Sequence, residues 1–222
     1  MRGREVTSTL MKEAKRVLNA GSGPAEASSV HPAFRAAQWQ VVRLDIDPSL
    51  QPDLVGSFTE LESLVAPASY EAVWSSHSLE HLHTHEVIPA LSAFRRVLKD
   101  DGFMIAVCPD LAAVARLLLE RGAETVVYHS GAGPIRPLDM IYGHAYSIAT
   151  GRPAMAHNTG FTAERLARVA IEAGFAEVRV MEGPAYDLWG AFLMPGADNQ
   201  ALAALFRGAV IERLFAPTPD DS

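Results

Sequence analysis

The chain holds a single cysteine, Cys108, so it has no means of forming an intramolecular disulfide or a multi-cysteine zinc site. Basic side chains are also few: 19 Lys and Arg stand against 26 Asp and Glu, a formal net charge of −7, with no dense cluster of either Lys or Arg. Dedicated nucleic-acid binders depend on neutralising phosphates, and this balance argues against one. No stretch approaches the roughly 18 uninterrupted apolar residues of a spanning helix. Residues Met1 to Arg16 mix acidic and basic groups and lack the apolar centre of a secretory signal. Together these absences predict a soluble, cytoplasmic protein with no nucleic-acid or membrane partner. What is abundant is core material: 49% of the 222 residues are hydrophobic. A chain of this size can bury roughly 70% of its unfolded surface in one domain, here residues 1–222.

The pattern along the chain alternates strand and helix. A strand from Arg16 meets a tight turn at Gly21-Ser22-Gly23. A second, Gln40 to Leu44, closes in Asp45-Ile46-Asp47-Pro48, with an Ala-rich helical pattern between them that Pro32 interrupts. A weak strand at Asp53 to Gly56, a short helix at Thr59 to Val65 and strands at Tyr70 to Trp74 and Phe103 to Val107 follow. The last two flank an amphipathic helix from Thr84 to Lys99. Helices are predicted at Leu111 to Arg121, at Thr162 to Ala173 and at Asn199 to Phe215. Two strands, Ala176 to Met181 and Tyr186 to Met194, are joined by a link short enough for an antiparallel pair, and Ala216 to Ser222 reads as a frayed tail. The fold class is therefore α/β, a doubly wound, mostly parallel seven-stranded sheet with its last strand antiparallel. Residues 124–160 lack clear periodicity and are rich in glycine, proline and histidine, the pattern of a substrate-facing lid or insertion.

In such sheets ligands sit beyond the carboxyl ends of the strands, where strand order reverses. The turn at Gly21 and Gly23 lets a ligand approach backbone, and Asp45 follows Gly23 by 22 residues, the spacing at which a second-strand carboxylate can accept from a ribose diol. An adenosine-bearing cofactor follows. A dinucleotide fingerprint would carry a third glycine where Glu26 stands, and a carboxylate there repels a pyrophosphate. No Walker loop is present either. S-adenosylmethionine has no phosphate and tolerates an acidic neighbour, so the reading shifts towards it.

Five segments then share an order and spacing: Val17 to Gly23, Leu44 to Pro48, Tyr70 to Leu82, Phe94 to Phe103 and Gly160 to Leu166. Through them the sequence resembles the class I S-adenosylmethionine-dependent methyltransferases, most closely methyltransferase type 11 domains, from about residue 16 to 182. The resemblance implies a Rossmann-like methyltransferase fold and a set of cofactor contacts. Asn19, Ala20, Gly21, Ser22 and Gly23 would lie under the methionine part, Asp45 on the ribose, Ile46, Ser57 and Phe58 about the adenine, and Ser75 and Ser76 at the reacting end. Asn19 and Ser57 stand where the family often has acidic residues.

Methyl transfer is an in-line displacement in which positioning supplies most of the effect. His77, at a strand end, is the candidate general base, with His81 and His157 behind it; Asp139, Tyr142, His144 and His157 would face the acceptor, a small molecule or a glycan-like group. His77 and His81 lie four apart and would share a helix face, but no further ligands are apparent and no metal is expected. Two other readings compete. A non-catalytic cofactor-binding or scaffold protein is suggested by Asn19, Ser57 and the lack of an Asn/Asp-Pro-Pro-aromatic tetrapeptide; an NAD-dependent oxidoreductase is disfavoured by Glu26 and the lack of a Tyr-x-x-x-Lys pair.

Overall fold

The computed structural model describes residues 14–25 and 30–216. Glu26, the segment before Ala14 and the tail after Ala216 lie outside the described residues. The strands are β1 (Lys15–Ala20), β2 (Trp39–Asp45), β3 (Leu54–Val55), β4 (Tyr70–Ser76), β5 (Leu98–Pro109), a hairpin of β6 (Tyr128–Ser130) and β7 (Gly133–Ile135), then β8 (Glu177–Glu182) and β9 (Asp187–Leu193). The helices are α1 (Leu61–Leu64), α2 (Val87–Val97), α3 (Leu111–Arg121), α4 (Pro137–Tyr142), α5 (Ala145–Ala149), α6 (Ala163–Glu172) and α7 (Asn199–Leu205). Seven strands form one sheet in the order β3-β2-β1-β4-β5-β9-β8. Strands β1 to β5 pair in parallel and β9 runs antiparallel to both β5 and β8. The expected doubly wound sheet with an antiparallel last strand is thus present, and strand order reverses between β1 and β4.

Alternation along the central strands explains the two layers. Leu18, Val73, Met104, Ala106 and Phe192 point to one face and pack against α2 and α6; Val17, Trp74, Ile105 and Leu193 point to the other, against Phe34, Leu202 and Phe206. Strands buried on both faces read as continuous apolar runs, which is why Phe103 to Val107 was legible as β5. The ends of α3 and α6 follow their sequence signals: Asp110 accepts from Ala112 N at 2.9 Å, Thr162 from Arg165 N at 3.3 Å, and Gly174 takes φ 92° past the end of α6.

Three expectations need correction. The Ala-rich stretch does not run as a helix to Trp39, because Pro32 opens a single 3-10 turn, Pro32–Arg35, capped by His31. The C-terminal helix is split: α7 ends at Leu205, Gly208 takes φ 80°, and a 3-10 segment spans Val210–Phe215. The segment 124–160 is regular in part, with the β6–β7 hairpin, α4 and α5, and a small cluster of Val114, Leu117, Ile135 and Met140 seats it on α3. Among the described residues no helix is long and apolar enough to cross a membrane.

Candidate active site

The glycine turn and the end of β2 meet. Gly23 N donates to Asp45 Oδ2 at 2.9 Å, Asp47 N donates to Asp45 Oδ1 at 3.1 Å, and Gly21 N donates to Leu44 O at 2.9 Å. Each carboxylate oxygen has two lone pairs, so both retain capacity for a ligand hydroxyl. Gly21 (φ 71°) and Gly23 (φ 62°) lie in the left-handed region. They differ in surroundings: a Cβ on Gly21 would stand 2.5 Å from Ser78 Cβ, whereas one on Gly23 would meet nothing within 4 Å among the described residues. Gly23 therefore opens outward beside Asp45, and Gly21 is needed for packing beneath.

Two neighbours in this set are less exposed than the sequence reading implies. Ala20 is fully buried and Ser22 is 1% exposed, so their side chains belong to the packing under the turn. Asn19, on β1, is also fully buried, and neither Oδ1 nor Nδ2 has a hydrogen-bond partner among the described residues. An orphaned buried amide costs about 1–3 kcal/mol, so one here, next to the turn, marks a place for a polar ligand group.

On the adenine side, Ile46 is exposed and available to a flat apolar ligand. Ser57 caps the following 3-10 turn, with Oγ accepting from Thr59 N at 3.3 Å. Phe58 departs from its expected role: its ring packs on Phe94 at 5.1 Å within the core, below Gly21. An aromatic here supports the turn from beneath.

At the end of β4, Ser75 is fully buried, and its Oγ lies 2.7 Å from Ser78 Oγ, which donates to Ala20 O at 3.0 Å. This latch ties β4 to β1, and Ser75 is part of it, while Ser76 is only partly buried. His77 then takes φ 52°, its N donating to Val107 O at 2.8 Å, which turns its half-exposed ring out from the strand end. His77 Nδ1 lies 3.5 Å from Oε1 of Glu80, a carboxylate only 1% exposed. Burial works against protonating His77, but Glu80 outweighs it and raises the imidazole pKa. Burial would likewise push the Glu80 carboxyl up; the facing imidazoles of His77, His81 and His157 outweigh it and hold the group ionised. Glu80 was not singled out from the sequence, where a Glu inside Ser78-Leu-Glu-His-Leu82 has the look of a solvated loop residue.

His77 and His81 do not share a helix face. The left-handed turn at His77 separates it from the three-residue 3-10 turn Leu79–His81. His157, far along the chain, instead stacks edge-on to His81 with ring centroids 5.0 Å apart. Glu80, His81 and His157 place ligand-type atoms within 4.8 Å of one another. The strap that brings His157 here is pinned by Asn158 N to Glu80 O at 2.9 Å and Asn158 Nδ2 to His81 O at 2.8 Å.

The other acceptor-side candidates scatter. Asp139 is spent on backbone: Oδ2 accepts from Arg136 N at 3.0 Å and Oδ1 from Ala145 N at 3.0 Å, so it caps α4 and braces the start of α5. It sits inside α4, three residues from the cap. His144 pairs with Ser147 Oγ at 2.8 Å beside a shallow depression of about 350 Å³, and Tyr142 is exposed. A surface hollow of about 800 Å³ lies at the amino ends of the strands between Lys15, Glu71 and Leu205, away from these groups.

A glycine turn bonded to the second-strand carboxylate, at the point where strand order reverses, is the arrangement expected for a nucleoside-binding methyltransferase. The model of the methyltransferase domain family matches residues 2–180. The chain belongs to that family. Its methyltransferase fold, enzyme class and S-adenosylmethionine dependence accordingly stand as the sequence implied. Among solved structures it is similar to an S-adenosylmethionine-dependent methyltransferase from Archaeoglobus fulgidus, 13% identical, TM-score 0.53, covering 82% of this chain and 87% of that one. It is also similar to the 1,6-didemethyltoxoflavin-N1-methyltransferase of Burkholderia thailandensis, solved with 1,6-didemethyltoxoflavin and S-adenosylhomocysteine. That pair is 16% identical with TM-score 0.50, covering 84% of this chain and 72% of that one. No curated protein matches. The residues of this methyltransferase fit the cofactor on three structural counts: the orphaned Asn19 amide, the open Cβ space at Gly23 and the exposed Ile46 beside Asp45.

Proposed function

We propose that this methyltransferase alkylates a small-molecule or glycan-like acceptor, with Asp45 and the Gly21–Gly23 turn holding the nucleoside and His77 receiving the acceptor proton. The observation that carries the reading is the 2.9 Å bond from Gly23 N to Asp45 Oδ2 at the switch point of the sheet. It fixes a carboxylate with spare lone pairs next to a backbone cradle, the combination that recognises a ribose diol.

Bound S-adenosylmethionine supplies an electrophilic sulfonium methyl. The chain contributes position and proton handling. Asp45 accepts from the ribose hydroxyls, Ile46 lies against the adenine, and the Asn19 amide meets a polar group of the methionine part. Ser76 and His77 border the reacting end. Glu80, on the Nδ1 side of His77, favours the charged imidazole, so Nε2 is the atom that takes the acceptor's proton. Residues 124–160, seated on α3 and strapped to the Glu80–His81 turn, form the acceptor-facing wall; within it Tyr142, His144 and His157 offer polar groups, and Asp139 acts by holding α4 and α5 in place.

Calorimetry with S-adenosylmethionine, S-adenosylhomocysteine and NAD tests the assignment. The first two bind and NAD does not. Asp45→Ala weakens S-adenosylhomocysteine by about 1.5–3 kcal/mol, tenfold or more, because hydrogen bonds to a charged group are lost. Binding of NAD alone, or an affinity indifferent to Asp45→Ala, would overturn it.

A further inference from the structure

Glu80 is 1% exposed, yet among the described residues neither carboxylate oxygen has a hydrogen bond of good geometry; His77 Nδ1 stands 3.5 Å from Oε1. Buried ionised carboxylates are ordinarily paired or metal-bound, since an uncompensated buried charge is costly. Around this one, two imidazoles are set in a defined tautomer. His81 Nδ1 is 3.0 Å from Ala156 O, and His157 Nδ1 is 3.0 Å from Met140 O. A carbonyl can only accept, so both Nδ1 atoms carry the proton, and each Nε2 is left with its lone pair unshared. Backbone carbonyls that fix the far nitrogen and leave Nε2 free are the outer support that metal-ligating histidines typically have.

We propose that Glu80, His81 and His157 form a binding site for a divalent first-row transition ion, with zinc as the best fit to two imidazole nitrogens and one carboxylate. The ligand-type atoms already lie within 4.8 Å of one another, and a small side-chain adjustment brings them to bonding distance. A cavity of about 10 Å³ opens on the same side, bordered by Glu80, Leu111, Met140, His157 and Gly160. It has room for about one water, and so for one exchangeable ligand on the ion. Three protein ligands and one open position is the composition of a site that polarises a bound oxygen rather than one that merely staples a fold. The strap that contributes His157 is joined to the Glu80–His81 turn at Asn158, so the ion would also lock residues 124–160 onto the end of β4. That the bound oxygen belongs to the methyl acceptor rests on the proposed methyl transfer; the binding of the ion does not.

The test uses the full, untagged chain, stripped with chelator, in which His83→Asn and His85→Asn remove an exposed stacked pair that could bind metal adventitiously. Zinc chloride is titrated calorimetrically, with magnesium chloride as comparator, and cobalt(II) chloride gives a visible spectrum. The expected result is one zinc per chain with magnesium at least a hundredfold weaker. Glu80→Gln and His157→Asn should each weaken zinc at least tenfold and abolish the cobalt bands, while far-UV circular dichroism and S-adenosylhomocysteine binding are retained. No stoichiometric zinc in this background, or zinc binding unmoved by either substitution, overturns the proposal. Should a substituted chain fail to fold, the cobalt spectrum of the parent decides: bands of low-symmetry nitrogen and oxygen ligation support the site, and the spectrum of the aqueous ion refutes it. Because S-adenosylhomocysteine binding is read in the same samples, failure of the metal site and failure of the methyltransferase reading appear separately.

Discussion

The two glycines of the Gly21-Ser22-Gly23 turn look alike in sequence and do different work. Both are left-handed, which costs an alanine about 1–2 kcal/mol, but only Gly21 faces a neighbour that is unable to yield, because Ser78 is held by Ser75 and Ala20. Gly21→Ala should therefore lower stability by a further 1–3 kcal/mol, roughly, through overpacking, whereas Gly23→Ala pays the backbone cost alone. Urea midpoints of the two substituted chains measure the difference, and equal losses would show that Ser78 gives way. His77 is the side chain that takes the acceptor proton in the proposed reaction. With Glu80 behind Nδ1, His77→Ala should reduce turnover on the true acceptor by roughly 100-fold or more while S-adenosylhomocysteine affinity stays the same. Undiminished turnover would remove the base. Asp45, Gly21 and Gly23 were legible from spacing because local backbone geometry demands those residue types. Glu80 and the roles of Phe58 and Asp139 were not, because they depend on partners tens of residues away.

Strand ends are held in register by polar contacts as well as by the apolar layers. Glu71, early in β4, accepts from Arg16 N of β1 at 2.6 Å and from Lys99 Nζ of β5 at 2.5 Å, joining three strands at the pole opposite the site. Burial opposes its ionisation, but these donors outweigh it and hold the carboxyl below its ordinary 4.5. A carboxyl depressed in the folded state contributes stability that is present above the unfolded value and lost as pH falls through the folded one. Glu71→Gln should cost about 1–2 kcal/mol at pH 7, and its urea midpoint should converge with that of the parent chain as the pH is lowered past 4.5 towards 3. A gap that persists in acid would mean the loss is one of packing. Elements of strong periodicity, such as α2 and α6, and the apolar runs of β4 and β5 were read correctly because burial dictates their pattern. The break at Pro32 was legible because proline interrupts a helix, but that at Gly208 was harder: helical composition continues through it, and one residue's backbone preference stops it.

The molecule as a whole joins a sheet that was visible in sequence to a segment, residues 124–160, whose irregular composition was visible but whose internal elements were not. The sheet needs only short-range signals, alternation and turn residues, and its parallel pairs follow from the helical crossovers between them. The cap, residues 124–160, is built from pieces too short to carry a period, α4 of six residues and α5 of five, and is fixed by contacts to α3 and to the Glu80–His81 turn. Those contacts bring His157 beside His81 and the buried Glu80, just past the end of β4, which is where acceptor choice is to be sought. The most direct measurement is a crystal structure of the chain with S-adenosylhomocysteine. The account predicts the ribose diol on Asp45, the adenine against Ile46, a polar group of the amino-acid part on the Asn19 amide and the sulfur directed towards Ser76 and His77. A nucleoside lying at another edge of the sheet, with Asp45 still bonded only to Gly23 and Asp47, would contradict it.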